Sequence, residues 1–178
     1  MGKPMKTPAL RVFALLMLPG LASAANFTGI GDLLGGDVYS TAFGISADGT
    51  TVTGYSTGQT TGGIYGPQSE DIAYRWTAAT GMIGLEPVPG HPVRSNSTGA
   101  SSDGSVIVGG AVLGVGSEAY RWTASTDMVG LGDLPGGKYA SWANDISADG
   151  TVIVGASMGA LTTGEQEAFR WTPVSGMV

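Results

Sequence analysis

The chain has no cysteine. That excludes a disulfide framework, a thiolate metal site, a cysteine nucleophile and a lipid-bearing N-terminal cysteine. Charge is scarce too: only 12% of residues are Asp, Glu, Lys or Arg, with 8 basic against 14 acidic and a net charge of -6. A nucleic-acid surface needs clustered Lys and Arg, so this balance excludes that class of partner. There is one histidine, His91, placed among Pro89, Gly90 and Pro92, where a turn is expected. Without a second His or a Cys it makes no His-rich metal site. The sequence holds no G-x-S-x-G elbow, no H-E-x-x-H and no Walker loop, so catalysis has no motif behind it. Low charge combined with 42% hydrophobic residues excludes wholesale disorder.

What is abundant is glycine, 31 of 178 residues, without the three-residue period of collagen. The first 24 residues read as a secretory signal peptide. Lys3, Lys6 and Arg11 form a basic region, Val12 to Leu18 an apolar one, and Ala22-Ser23-Ala24 a small-residue cleavage site. The apolar run is too short for a membrane span, and no later stretch reaches that length. Cleavage leaves 5 basic against 14 acidic residues, an acidic exported chain with a surface or extracellular destination or a periplasmic one.

Three internal repeats organise the rest. Ser46-Ala47-Asp48-Gly49, Ser101-Ser102-Asp103-Gly104 and Ser147-Ala148-Asp149-Gly150 are one motif. Each leads to a short strand signal ending in Gly: Thr51-Val52-Thr53-Gly54, Val106-Ile107-Val108-Gly109 and Val152-Ile153-Val154-Gly155. Each unit then has an Arg-Trp-Thr box, at Arg75-Trp76, Arg121-Trp122 and Arg170-Trp171, followed by Met82, Met128 or Met177. From the motif Asp to the strand Gly is 6 residues in every unit, and from Trp76 to Asp103 and Trp122 to Asp149 is 27. Only the stretch between that Gly and the Arg changes length. The spacing predicts four short strands per unit, over about 27–90, 91–137 and 138–178. The Asp-Gly pairs predict type I′ hairpin turns, with positive φ at both central residues. Val106–Val108 and Val152–Val154 are apolar on both faces, so both faces are expected to be covered. Thr51-Val52-Thr53 is a weaker strand, as befits a terminal unit. The fold class expected is all-β: tandem four-stranded repeats, β-propeller-like but incomplete, with about three blades. Three is below the usual four to eight. The third unit reads as truncated, and strand edges left open invite self-association.

The order S-x-D-G, V-x-V-G, A-[FY]-R-W-T and G-M-x-x-L-G-D-L-P-G-G resembles the HAF family of extracellular repeat proteins, over residues 27–178. The His-Ala-Phe tripeptide of that family stands here as Ile72-Ala73-Tyr74, Glu118-Ala119-Tyr120 and Glu167-Ala168-Phe169, so the His is replaced in every unit. The resemblance implies export and an all-β repeat, and no particular activity.

Each candidate site has a structural alternative. Asp48, Asp103 and Asp149 are weak calcium candidates; as turn residues their side chains cap the loop instead. Arg75, Arg121 and Arg170 sit at one repeat position, where an Arg pinned between blades against a motif Asp is expected. Trp76, Trp122 and Trp171 are expected in the core beside them. The variable segments, 55–72, 110–118 and 156–167, are the best place for a binding surface. In the first, Tyr55, Gln59, Tyr65, Gln68 and Glu70 supply contact chemistry. The expectation is an exported non-catalytic module that binds a surface or extracellular partner, with no cofactor. Two alternatives stand beside it. One is a polysaccharide hydrolase or lyase using carboxylates among Glu70, Asp71, Glu86, Glu118, Glu165 and Glu167. The other is a structural spacer or the passenger of a longer autotransporter-like surface protein.

Overall fold

The computed structural model describes residues 28–59, 69–85, 94–114, 116–159 and 165–178. The signal-peptide reading therefore lies outside the described residues, as do Tyr65, Gln68, Glu86 and His91. Every described element is a strand. The first blade comprises β1 (Gly35–Ile45), β2 (Thr51–Gln59), β3 (Ser69–Thr77) and β4 (Gly81–Gly84), paired antiparallel in that order. The second comprises β5 (Arg94–Ala100), β6 (Val106–Leu113), β7 (Gly116–Thr123) and β8 (Asp127–Gly130). The third comprises β9 (Gly136–Ile146), β10 (Ile153–Gly159), β11 (Glu167–Thr172) and β12 (Gly176–Met177). The second and third blades also share one parallel bridge, Ser117 to Ala140.

The S-x-D-G motif is the turn between the first two strands of each blade. The N–H of Gly49, Gly104 and Gly150 donates to the carbonyl of Ser46, Ser101 and Ser147. Those glycines have φ of 73°, 66° and 72°, while none of the three aspartates has positive φ. This corrects the type I′ expectation. The turn is a four-residue β-turn closed by a left-handed Gly, and Asp is free to use its carboxylate. Asp48 Oδ1 accepts from Ser46 Oγ at 2.6 Å and from Thr50 N and Oγ1 at 2.9 Å each. Asp103 does the same with Ser101 and Ser105, and Asp149 with Ser147 and Thr151. The Ser hydroxyl in turn accepts the N–H of Thr51, Val106 or Val152.

The fixed spacing beyond the turn sets the register of the sheet. Val52 pairs with Trp76 and Trp76 with Met82; Ile107 with Trp122 and Trp122 with Met128; Ile153 with Trp171 and Trp171 with Met177. The three residue types that recur along the chain thus form one rung across each blade. The glycine that ends each V-x-V strand lies against an irregularity of the first strand. A Cβ at Gly54, Gly109 or Gly155 would stand 1.9–2.0 Å from the carbonyl oxygen of Thr41, Asn96 or Trp142. No side chain fits there.

Blades pack face to face, the first on the second and the second on the third. At the junction of the second and third blades Val106, Val108 and Ala119 meet Ala143, Ile146, Ile153 and Phe169. At the junction of the first and second Ala73 and Leu85 meet Ile107, Ala111, Tyr120 and Met128, with Trp122 and Ala100 against them. The three Trp of the boxes are half-buried. Backbone bonds tie the turns of neighbouring blades, from Asp48 N to Ser102 O and from Ser102 N to Ala148 O. Coverage of both faces is found for Val106, Ile107 and Val108 but not for the third unit. Val154 is 43% exposed, because no blade lies beyond it among the described residues.

Two expectations about the variable segments need correction. Tyr55 and Gln59 lie within β2 and Glu70 within β3, because pairing runs past Gly54 from Tyr55–Ala73 to Gln59–Ser69. Likewise β6 and β7 stay paired to Leu113–Gly116. Strand pairing therefore extends into each of the segments 55–72, 110–118 and 156–167.

Candidate functional site

Antiparallel order sorts the connections by edge. The S-x-D-G turns and the turns at 78–80, 124–126 and 173–175 lie at one edge of the blades. The ends of β2, β6 and β10 and the starts of β3, β7 and β11, which bound the variable segments, lie at the other.

At that variable edge, between the second and third blades, opens a groove of about 540 Å³. Its walls are Val112, Gly116 and Ser117 on one side and Lys138, Tyr139, Ala140 and Trp142 on the other, with Met158. Gly110 makes room for it: a Cβ there would lie 2.7 Å from Trp142 Cδ1. Beside the groove, Glu118 accepts the N–H of Gly132 at 2.9 Å. Burial pushes the Tyr139 phenol up to about 12, helped by its hydrogen bond to Glu118 and the negative charges of Glu118 and Asp133. Tyr139 therefore stays a neutral donor, and Lys138 supplies a cation at the rim. The lining is mostly apolar, with Trp142 and Tyr139 as its aromatic residues and few polar groups, a composition suited to holding a ligand.

A second aromatic cluster lies on the first blade. Tyr39 and Tyr55 have ring centroids 5.8 Å apart, Phe43 and Tyr55 5.7 Å. The two phenols meet at 3.3 Å, and Tyr39 and Phe43 are about half exposed, at 50% and 53%. Hydrogen bonds from Thr41 and Tyr55 lower the Tyr39 pKa, while the bond to Tyr39 and desolvation raise that of Tyr55.

The residues singled out in the sequence fall in different places. Tyr55 belongs to this aromatic cluster. Glu70 is buried and pairs with Arg94 Nε at 3.3 Å across the first junction. The three motif aspartates each saturate one oxygen with hydroxyl and N–H donors of their own turn. The expected Arg–Asp pairing is not made among the described residues: Arg75 and Arg121 are half-buried, Arg170 is exposed, and the Arg121 Nε is buried without a partner. Each motif carboxylate instead spends its Oδ1 on its own turn. Glu118 serves the groove rim, and the described residues contain no group of three metal-ligating side chains. Sequence reasoning missed Lys138, Tyr139 and Trp142. The available signal was Trp142 itself, the one Trp of four outside the Arg-Trp-Thr boxes.

No protein-family profile matches the chain, and no curated protein does. Solved structures do. TolB from Agrobacterium tumefaciens superposes with a TM-score of 0.54 at 16% identity, over 78% of this chain and 47% of that one. TolB from Acinetobacter baumannii gives 0.50 at 13% identity, over 77% and 30%. This chain thus spans less than half the length of either. At such identities the likeness shows the fold, an all-β, β-propeller-like array of three blades whose sheets do not close into a ring.

Proposed function

We propose that the protein is an exported, non-catalytic binding module of the cell envelope or cell surface, built as a HAF-type repeat. The observation that carries this reading is the groove at the variable edge, with Trp142 and Tyr139 in its wall, Met158 and Val112 beside them, and Lys138 at its rim. It accepts a chain-like ligand with apolar or ring faces and sparse polar groups, such as a polysaccharide segment or an extended peptide. The TolB-like fold supports an envelope setting, and the N-terminal signal sequence supports export.

An array carrying both envelope polysaccharides and extracellular-matrix proteins tests this with the wild type and Trp142→Ala. Binding to one ligand class that the variant loses supports the reading. Binding that Trp142→Ala leaves intact removes the groove from it. Turnover of a bound polysaccharide by the wild type would replace it with the hydrolase or lyase alternative.

A further inference from the structure

The two outer faces of the array carry the same residue positions that its own blades use to bind each other. On the leading face of the first blade, Ser40, Ala42 and Ile45 are exposed, Ile45 at 62%. Their counterparts in the later blades, Ser95 and Ser141, Ser97 and Ala143, Ala100 and Ile146, are covered by the preceding blade, and Ile146 is only 8% exposed. On the trailing face of the third blade, Val154, Ala168 and Arg170 are exposed. Their counterparts Thr53 and Val108, Ala73 and Ala119 are 0% exposed under the following blade.

The polar contacts of the internal junctions have open counterparts at the two ends as well. Ala73 N donates to Ser95 Oγ at 3.0 Å, and Ala119 N to Ser141 Oγ at 2.9 Å. The equivalent pair is Ala168 N and Ser40 Oγ. Gly132 N donates to Glu118 Oε1 at 2.9 Å while Gly132 O accepts from Ser141 Oγ at 2.6 Å. Gly31 O already accepts from Ser40 Oγ at 2.8 Å, which sets Gly31 on the first blade as Gly132 is set on the third. The matching acceptor for Gly31 N is Glu167.

We infer that the trailing face of the third blade takes the leading face of the first blade of a second copy, and that two copies close head to tail. Each of the two new junctions repeats an internal one: Ala168 N to Ser40 Oγ, Gly31 N to Glu167, and Ile45 and Ala42 over Val154 and Ala168. The pair has six blades, inside the range in which propellers close. The contact is between different patches of identical chains, and closure after two steps is what separates a discrete ring from a growing fibre.

Sedimentation equilibrium on the purified protein tests this, with Ile45→Arg and Ala168→Arg beside the wild type. Both positions are exposed in the single chain, so circular dichroism should show both variants folded. The expected result is twice the mass of one chain for the wild type and a single chain for each variant alone. An equimolar mixture of the two variants should recover dimer, because one junction then joins an unaltered Ala168 to an unaltered Ile45. A monomeric wild type, an open-ended assembly, or a dimer that both variants preserve overturns the inference.

Discussion

At the scale of single residues, three aspartates and three glycines define the units. Each Asp carboxylate is held ionised by its own turn. The Ser46 hydroxyl and Thr50 lower the pKa of Asp48, the Ser147 hydroxyl and Thr151 that of Asp149, and the Ser105 N–H with the Ser105 and Ser101 hydroxyls brings Asp103 down to about 2. A carboxylate with a depressed folded pKa contributes stability that is fully present above its unfolded value, about 4. That contribution is lost as pH falls through the folded value. Asp103→Asn is therefore expected to flatten the fall of Tm between about pH 4 and 2, while lowering Tm at neutral pH; thermal melts across that range check it. The strand glycines answer to sterics instead. Gly109→Ala drives a Cβ to 1.9 Å from the Asn96 carbonyl oxygen, so the first two strands of the second blade must part. A loss of about 3 kcal/mol is expected in urea titration, at the upper end of overpacking costs. The Asp-Gly pairs were legible as turns in the sequence. The turn type was not, because the Ser hydroxyl that binds the Asp makes a left-handed Asp unnecessary.

At the scale of the strand and the blade, the rung of Val or Ile, Trp and Met explains why the motifs keep their spacing. A one-residue slip would move each rung to the opposite face. Ile107 is fully buried in its rung while Val52 is half-buried in the equivalent one. Ile107→Ala should cost about 2–5 kcal/mol, and Val52→Ala clearly less, by chemical denaturation. The first blade also carries a correctable defect. Thr51 and Thr53 are fully buried with hydroxyls that find no partner, at positions where the second blade has Val106 and Val108. Thr53→Val removes an unpaired polar group at nearly constant shape, and a gain of about 1 kcal/mol is expected from the same titrations. The sequence flagged this strand as weak from its composition. Strand ends were less legible: residues 55–59 show no apolar alternation, so the pairing that continues through them is visible only once β3 lies alongside. The groove was illegible for a related reason. Its wall draws on strands of two blades, and only Trp142 stood out from the repeat.

At the scale of the whole molecule, neighbouring blades meet through apolar faces, serine hydroxyls and a line of turns. In such arrays stability is a sum of unit terms and nearest-neighbour terms. The Ser95, Ser97 and Ser141 hydroxyls belong to the second kind of term, since each bonds backbone of the preceding blade. The line of turns lets the two kinds of term be measured apart. Asp48 N–H is held by the carbonyl of Ser102, and Ser102 N–H by that of Ala148, so each amide is shielded by a blade other than its own. The N–H groups of Gly49 and Gly104 in the same turns are held from within. Separating two blades without unfolding either would release Asp48 or Ser102 to deuterium and leave Gly49 and Gly104 protected. Amide exchange followed residue by residue should show Asp48 and Ser102 exchanging faster than the glycines beside them. Equal rates would mean that the blades part only when they melt. Two backbone protons thus act as built-in gauges of how far the array is one cooperative body and how far a stack of separable leaves.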